Sequence, residues 1–329
     1  MSKRSFVAVV TPIALVGAFI LFQGSASKDL KHKEPPPPVE ETAIHEHLSM
    51  EPEMIPHGHR YQLPEMPDSL EFCGEPVPLH DRNVYERLER ELIVNCYYHS
   101  STFLVLKRTG RYFPEIEKIL EEENVPEDFK YLAMAESGLQ NATSGAGAKG
   151  VWQFIRSTGR REGLEITSGI DERYHLEKAT RAACNYLKKA KSEFGNWTTA
   201  AGSYNRGEAG MRNALDDQHQ SNYYDLYLNP ETYRYVFRIL AMKLIEQDPA
   251  KYGFELNEKD YYKPYSTYDV RVNTSIKDLP EYAKKKGTSY KIFRELNPWI
   301  HGYSLDNRTG KSYVIELPFL EAERADEGE

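Results

Sequence analysis

Apolar residues recur at helical spacing through the middle of the chain. One series of i, i+3 and i+4 positions comprises Ala179, Ala182, Ala183, Tyr186, Leu187, Ala190 and Phe194. A second comprises Tyr233, Val236, Phe237, Leu240, Ala241 and Leu244, with Asn229 as the expected cap and Pro230 and Glu231 in the first turn. An earlier series passes through Val84, Leu88, Leu92, Cys96 and Phe103. No alternating pattern indicates a strand between about residues 80 and 250, so this region is predicted to be mainly α-helical.

The pattern changes in the last quarter of the chain. Alternating residues at 268–272 and an apolar run at 313–315 predict two short strands. Between them, two short helices are expected, one beginning after Asp278 and one ending at Asn297-Pro298. The order strand, helix, helix, strand predicts a small separate α+β module.

The N-terminal residues have the pattern of an export signal. Lys3 and Arg4 precede an apolar run at 6–22, and small residues follow at 24–26. The run fits either a cleaved signal peptide or a retained membrane anchor, so we expect export to the periplasm or cell envelope. Residues 27–67 are polar and rich in proline, a composition that predicts a disordered tether.

The net charge and the cysteine content argue against nucleic-acid binding and against a cysteine-based metal site. The chain has 42 Lys and Arg against 50 Asp and Glu, a net charge of −8, which argues against a nucleic-acid partner. The only cysteines are Cys73, Cys96 and Cys184, and their spacing fits no metal site. In an oxidising compartment there are two possibilities: Cys73 and Cys96 form a disulfide, or all three cysteines are buried thiols.

The segment 125–138 places a carboxyl group at the end of an apolar helix face. Phe129, Leu132, Ala133 and Glu136 fall at i, i+3, i+4 and i+7 and therefore share one face. Desolvation and the negative C-terminal end of the helix both favour the neutral carboxyl. We therefore predict a pKa for Glu136 above that of a free Glu (about 4.3), as a general acid near neutrality requires. The alternative is a side chain that turns to solvent.

A glycine-rich segment follows at 144–154. Its glycines match G-x-G-x-x-G, the last being Gly150, but the loop follows a predicted helix and not a strand, which argues against dinucleotide binding. We interpret the loop as stripped of side chains so that a bulky ligand can approach its backbone. Trp152 would offer a sugar an apolar face and Gln153 an amide; for Trp152 the alternative is core packing.

Two further motifs carry aromatic and amide side chains. Tyr204-Asn205 precedes Gly207 and is predicted to end a helix, with the Asn205 side chain bonding locally. Tyr233 and Tyr235 begin the helix after Asn229, and only one of them can face a given cleft.

In content and order, the segments Glu136-Ser137, 147–154, 204–207 and 231–236 resemble the four motifs of lytic transglycosylase family 1. The resemblance implies a mainly α, lysozyme-like catalytic domain with Glu136 as its single catalytic acid/base. It also implies a substrate cleft lined by Ser137, Gly150, Trp152, Gln153, Phe154, Tyr204, Asn205 and Tyr235. The C-terminal module resembles a degenerate LysM domain, a glycan-binding fold, in Asn297-Pro298-Trp299 and the closing segment 313–318. Its usual Gly-Asp-Thr-Leu opening is replaced by 273–276, which leaves sugar binding open.

These observations divide the chain into six parts. They are a signal peptide or membrane anchor at 1–26, a tether at 27–67, a helical extension at 68–111, a catalytic domain at 112–262, a LysM-like module at 263–318 and an acidic tail at 319–329. The expected fold class is mainly α, with a lysozyme-like helical domain and a small C-terminal α+β module.

The resemblance implies a carbon–oxygen lyase that acts on peptidoglycan glycan strands without metal or cofactor. Glu136 would protonate the β-1,4 oxygen between N-acetylmuramic acid and N-acetylglucosamine. It would then take the proton of the muramyl C6 hydroxyl as a 1,6-anhydro ring closes. Whether cleavage is endolytic or exolytic stays open.

Two alternatives differ in mechanism or class. A hydrolase related to goose-type lysozyme would keep Glu136 and add a water-activating carboxylate such as Asp171 or its neighbour Glu172, since most glycosidases use two carboxylates. A non-catalytic peptidoglycan-binding scaffold would instead use the tether and the C-terminal module.

Overall fold

A computed structural model of the chain describes residues 62–319. The predicted export signal, almost all of the predicted tether and nearly all of the acidic tail lie outside the described residues. Between residues 62 and 319, no helix is both long and apolar enough to cross a bilayer.

The helical body contains eight α-helices around one apolar core. They are α1 Arg82–Tyr97, α2 His99–Glu122, α3 Phe129–Ser137, α4 Arg156–Arg161, α5 Leu176–Phe194, α6 Trp197–Arg206, α7 Glu208–Gln218 and α8 Pro230–Gln247. The three apolar series of the sequence lie on α1 with α2, on α5 and on α8, and their members are mostly buried in this core. The predicted mainly helical fold class is confirmed.

Local sequence signals set several helix ends. The Asn229 side chain accepts a hydrogen bond from the Thr232 backbone N–H and so caps α8, as predicted. Gly138 ends α3 in a left-handed conformation, with φ of 59°. The start of α3 differs from the prediction, because the turn after Pro126 makes tight i to i+3 hydrogen bonds and regular helix begins at Phe129.

A hairpin that the sequence did not predict precedes the helices. It consists of β1 Glu71–Phe72 and β2 Glu75–Pro76, too short for an alternating pattern to be visible. The Glu75 carboxylate accepts hydrogen bonds from the backbone N–H groups of Trp197 and Thr198 at 2.6 and 2.9 Å and from the Thr198 hydroxyl at 2.9 Å. The hairpin thereby supplies a cap for the N-terminus of α6.

The C-terminal module has the predicted order of elements. These are β3 Thr267–Val272, α9 Leu279–Lys285, α10 Tyr290–Leu296 and β4 Tyr313–Pro318. The strands pair antiparallel, with Val270 opposite Ile315. Asp278 caps α9 and Asn297 follows the end of α10, as the sequence predicted.

The module has its own core but is joined directly to the helical body. Ile170 of the body belongs to the module's apolar cluster and forms an isolated antiparallel bridge with Ile300. All three cysteines are free thiols, with Cys184 buried and Cys73 and Cys96 partly exposed. The structure therefore has free thiols and no Cys73–Cys96 disulfide, but only Cys184 of the three expected buried thiols is buried.

Candidate active site

The Glu136 carboxyl lies in the last turn of α3 and meets α8. The Tyr235 hydroxyl donates a hydrogen bond to Oε1 of Glu136 over 2.5 Å. Tyr235 is only 1% exposed and Glu136 is partly buried. The side chain therefore does not turn freely to solvent, which was the alternative for this residue. Of the two tyrosines at the start of α8, Tyr235 faces Glu136, whereas Tyr233 lies against Arg87 on the other side of the helix.

Burial dominates the electrostatics of this carboxyl. It raises the pKa of Glu136 to about 7, against the Tyr235 hydrogen bond and the Arg238 charge, both of which lower it. The negative charge of Glu231 acts in the same direction as burial. A carboxyl group with such a pKa can hold a proton near neutral pH and release it within a catalytic cycle.

Ser137 is next to Glu136, but its hydroxyl is turned back onto its own helix. It donates to the Ala133 carbonyl at 3.2 Å and accepts from the Gln140 N–H at 3.3 Å. A serine hydroxyl has one proton to donate, and that of Ser137 is already used in the bond to Ala133. Ser137 can therefore act toward a ligand only as a hydrogen-bond acceptor.

The structure corrects three predictions in the glycine-rich loop. Trp152 is fully buried and its indole N–H donates to the Thr180 hydroxyl at 2.8 Å, so its ring packs in the core and offers no face to a sugar. Phe154 is 2% exposed and is also a core residue. Gly150 is buried against the Arg173 carbonyl, so closely that an added Cβ would lie 1.8 Å from that oxygen. At this position glycine admits another part of the chain, and not a ligand.

Gln153 remains partly exposed, and only half of its amide is free. Its Nε2 donates to the carbonyls of Gly150 at 2.7 Å and Ala142 at 3.2 Å. Its backbone has φ of 50°, a conformation that is uncommon outside glycine. With both amide protons engaged, Oε1 is the atom that Gln153 can present as an acceptor.

Tyr204 joins α6 to the glycine-rich loop. Its hydroxyl donates to the Trp152 carbonyl at 2.8 Å, and its ring contacts Phe154 with centroids 5.8 Å apart. Burial, and after it the charge of Glu136, raise the pKa of Tyr204 well above its ordinary value.

Asn205 joins α6 to α8. Its Oδ1 accepts a hydrogen bond of 2.8 Å from the hydroxyl of Thr232, which is 2% exposed. The prediction of purely local bonding by Asn205 is wrong, because this partner lies on another helix. Among the described residues, none accepts from Nδ2, so Asn205 retains its two amide protons as donors.

Asp171, the candidate second carboxylate, is engaged elsewhere. It is 2% exposed and receives hydrogen bonds from Arg173 Nε at 2.8 Å and Nη2 at 2.7 Å. Burial alone would raise the pKa of Asp171, but the hydrogen bonds and charge of Arg173 lower it below the ordinary value. Glu172 is likewise buried, and its carboxylate accepts from the Glu165 N–H and pairs with Lys178.

Three residues near the site had no role in the sequence interpretation. Thr232 lies within the segment 231–236, but its hydrogen bond to Asn205 depends on the packing of α6 against α8 and could not be inferred from the sequence. Arg238 lies one turn after Tyr235, a spacing that could have revealed it; among the described residues no hydrogen bond or ion pair engages its guanidinium. Arg173 gave no sequence signal.

Hydrogen bonds connect these segments: Tyr235 on α8 contacts Glu136 on α3, and α6 contacts both the glycine-rich loop through Tyr204 and α8 through Asn205. Within residues 62–319, no three His, Cys, Asp or Glu side chains are grouped so that they could hold a metal ion. Such a site is suited to acid–base chemistry by one carboxyl group, with amide donors and acceptors nearby.

Comparison with known proteins identifies two families in this chain. Residues 114–226 match the Transglycosylase SLT domain, and residues 268–320 match the Soluble lytic transglycosylase C-terminal LysM-like domain. Membrane-bound lytic murein transglycosylase D from two Escherichia coli strains is 29% identical over 258 residues, which is 75% of this chain and 55% of the relative. The chain thus spans about half the length of the curated relatives that it matches.

Among solved structures, an inactive mutant of the lytic transglycosylase Slt from Pseudomonas aeruginosa is 20% identical, with a TM-score of 0.35. The match covers 46% of this chain and 26% of that one. The two family matches and the curated relatives, and not this structural match, show that the chain contains a transglycosylase SLT domain followed by a LysM-like domain of the soluble lytic transglycosylase type, and that it is homologous to membrane-bound lytic murein transglycosylase D.

Proposed function

We propose that this protein is a peptidoglycan lytic transglycosylase that cleaves the β-1,4 bond between N-acetylmuramic acid and N-acetylglucosamine and leaves 1,6-anhydro-muramyl ends. The observation that carries the proposal is the partly buried Glu136 carboxyl, held by the hydroxyl of the buried Tyr235. The family matches and the homologous murein transglycosylase support the same chemistry.

Glu136 acts first as a general acid. With a pKa of about 7 it carries a proton in much of the protein at neutral pH. Tyr235 donates to Oε1, and no described residue donates to Oε2, so Oε2 is the oxygen that can hold the proton. Transfer of that proton to the glycosidic oxygen accompanies cleavage of the bond to the muramyl C1, and the N-acetylglucosamine side leaves as an alcohol.

The same carboxylate then acts as a base. Positive charge that develops at C1 is relieved by the muramyl acetamido oxygen, as in substrate-assisted glycosidases. Glu136 takes the proton of the C6 hydroxyl while O6 bonds to C1. Glu136 is protonated at the end of the reaction, as it was at the start, and the two steps together consume no water.

Two amides provide complementary contacts for the substrate. Gln153 presents an acceptor, because its amide protons are engaged, and Asn205 presents donors, because its oxygen is engaged. An acetamido group carries one N–H donor and one carbonyl acceptor, so this pair is suited to recognising N-acetylated sugars. Ser137 and Tyr204 would line the same groove as remaining acceptors.

The engagement of Asp171 favours this mechanism over hydrolysis. A water-activating base must be reached by water and be basic enough to take its proton, whereas Asp171 is 2% exposed and its hydrogen bonds with Arg173 lower its pKa. The raised pKa and short hydrogen bond of Glu136 likewise favour an enzyme over a passive glycan-binding scaffold, which would not need a buried acid.

The proposed function also assigns a role to each part of the chain. We propose a catalytic domain at 112–262, preceded by a helical extension and followed by a glycan-associated LysM-like module at 263–318. The apolar segment at 6–22 would direct export of the chain. It would then either be cleaved as a signal peptide or be retained as a membrane anchor in the cell envelope. Its homologue is named as membrane-bound.

Product analysis tests the proposal. Wild-type protein and Glu136→Gln would be incubated with purified peptidoglycan, and the released fragments examined by mass spectrometry. We expect anhydro-muramyl ends from the wild type and none from Glu136→Gln. Reducing ends, which carry one additional water, would instead identify a hydrolase, and equal products from both proteins would remove Glu136 from the mechanism.

A further inference from the structure

The LysM-like module is attached to the segment that carries Asp171. The Asp171 backbone N–H donates to the Trp299 carbonyl at 2.9 Å, and the His301 N–H donates to the Gly169 carbonyl at 2.8 Å. Between these bonds, the Ile170 side chain is inserted into the apolar core of the module. The backbone on both sides of Ile170 is therefore fixed by the module.

A polar contact closes the same interface a few residues away. The Glu165 carboxylate accepts from the Tyr313 hydroxyl at 3.1 Å and from Lys311 Nζ at 3.0 Å. The His175 and Trp299 rings also lie against each other, with centroids 5.5 Å apart. The interface thus involves backbone, apolar and charged groups from both sides, as expected of a fixed attachment.

Asp171 in turn fixes Arg173. The two side chains are each 2% exposed and form a double hydrogen bond. Such a fork holds the guanidinium in one orientation. An arginine buried this deeply would be costly if it lost its carboxylate partner.

Arg173 holds the glycine-rich loop at both ends. Its Nη1 donates to the Gly147 carbonyl at 3.0 Å and to the Phe154 carbonyl at 3.1 Å. Its own carbonyl lies against Gly150, in the space that a Cβ would occupy. The loop backbone between these points carries Gln153, and its Trp152 carbonyl accepts from Tyr204.

We propose that the LysM-like module is a positioning element of the active site, which fixes Asp171 and, through Arg173, the backbone of residues 147–154. This inference rests on the proposed function. It makes Asp171 and Arg173 positioning residues, and it assigns the module a role in catalysis that is separate from any binding of the cell wall.

Three variants separate this role from others. Ile170→Asp places a charge in the module core and detaches the module, while Arg173→Lys keeps the charge but cannot bridge the two carbonyls and Asp171 together. Ile292→Asp is the matched control, since Ile292 is 39% exposed on α10. All three are full chains, and thermal melting establishes which of them fold.

The first measurement is hydrogen–deuterium exchange of the amides at 147–154, which does not depend on activity. We expect faster exchange there in Ile170→Asp and Arg173→Lys and wild-type exchange in Ile292→Asp. Unchanged loop exchange in Ile170→Asp would overturn the proposal, because only this variant alters the contact with the module. Should Ile170→Asp fail to fold, Ile170→Ala, which removes most of the inserted side chain without adding a charge, takes its place.

The second measurement is cleavage of soluble glycan oligomers of N-acetylglucosamine and N-acetylmuramic acid, for which wall attachment is irrelevant. Displacement of the loop should raise KM and reduce kcat/KM by about tenfold to a hundredfold, whereas partial unfolding would lower kcat alone. Wild-type kcat/KM in Ile170→Asp would contradict the proposal, whatever the effect of Arg173→Lys. An inactive wild type would instead refute the proposed function, and the exchange data would still be interpretable.

Discussion

The buried hydroxyl of Thr232 on α8 donates a hydrogen bond of 2.8 Å to Oδ1 of Asn205 on α6. Three residues later, Tyr235 on the same helix holds Glu136. The first turns of α8 therefore orient both the candidate acid and the Asn205 amide, which is a candidate substrate contact. Asn205 can direct its N–H groups outward because Thr232 fixes its oxygen inward.

Replacing Thr232 with Val removes this hydrogen bond with little change in shape. We expect KM to rise about fivefold, equivalent to roughly 1 kcal/mol for one hydrogen bond, because the Asn205 amide can then rotate. Thr232→Ser keeps the hydroxyl and should restore most of the loss. Steady-state kinetics on soluble glycans would measure both, and a Thr232→Val enzyme with wild-type KM would show that Asn205 needs no such support.

The pH dependence of activity should respond oppositely to two charges near Glu136. Because the acid must be protonated to act, kcat/KM should fall as pH rises through its pKa of about 7. Arg238 lowers this pKa and Glu231 raises it. Arg238→Met should therefore move the alkaline limb to higher pH, and Glu231→Gln should move it to lower pH.

Kinetic pH profiles of the wild type and of both variants provide the measurement. Shifts of the two limbs in the same direction, or no shift in either, would mean that another group controls the profile. The control is Glu127→Gln, which removes a largely exposed carboxylate before α3 whose partner is Lys130. We expect that variant to retain the wild-type limb.

Neutralising the acid should stabilise the fold at high pH. The pKa of Glu136 rises from 4.5 to about 7 on folding, so between these pH values the folded protein binds a proton that the unfolded chain has released. The free energy of unfolding therefore falls as pH rises through this window, by about 3 kcal/mol at most. Glu136→Gln escapes this loss.

Thermal melts of the wild type and Glu136→Gln at pH 4 and pH 8 would test this. We expect equal melting temperatures at the acid end and a higher one for Glu136→Gln at pH 8. A variant that is less stable than the wild type at pH 8 would show that the ionised carboxylate is accommodated without cost.

The sequence predicted the helical architecture and the position of Glu136 at the end of an apolar helix face. Regular spacing identified α5 and α8, and the apolar face of α3 with Gly138 behind it indicated a buried Glu136. Such signals are local, since each depends on residues within a few turns of one helix.

What the sequence could not predict depends on contacts between distant segments. The sequence left two places open for Trp152, a face toward a sugar or the core, because the partner that decides for the core, Thr180, lies on another element. Gly150 is required by Arg173 and not by a ligand. The Asp171–Arg173 pair has no periodic pattern, and its role becomes visible only when the loop packs against it.

Gly150 should tolerate no side chain. Its φ is 80°, and an added Cβ would lie 1.8 Å from the Arg173 carbonyl oxygen, so Gly150→Ala must displace backbone. We expect a loss of at least about 2 kcal/mol in the free energy of unfolding. Gly145→Ala is the control in the same loop, since nothing lies within 4 Å of its Cβ position. Denaturant unfolding should leave the control unchanged; similar midpoints for both variants would exclude the close approach.

The hairpin before α1 should stabilise the helix that carries Tyr204 and Asn205. Glu75 accepts three hydrogen bonds at the N-terminus of α6, where its charge also interacts favourably with the helix dipole. Glu75→Gln keeps the shape but loses the charge and at least one acceptor position, so we expect a loss of about 1–2 kcal/mol in the free energy of unfolding. Glu71→Gln on the same hairpin is the control, because Glu71 is exposed and Lys243 donates a hydrogen bond to its backbone carbonyl and not to its carboxylate. Chemical denaturation of both variants gives the comparison, and equal stabilities would mean that α6 needs no cap from the hairpin.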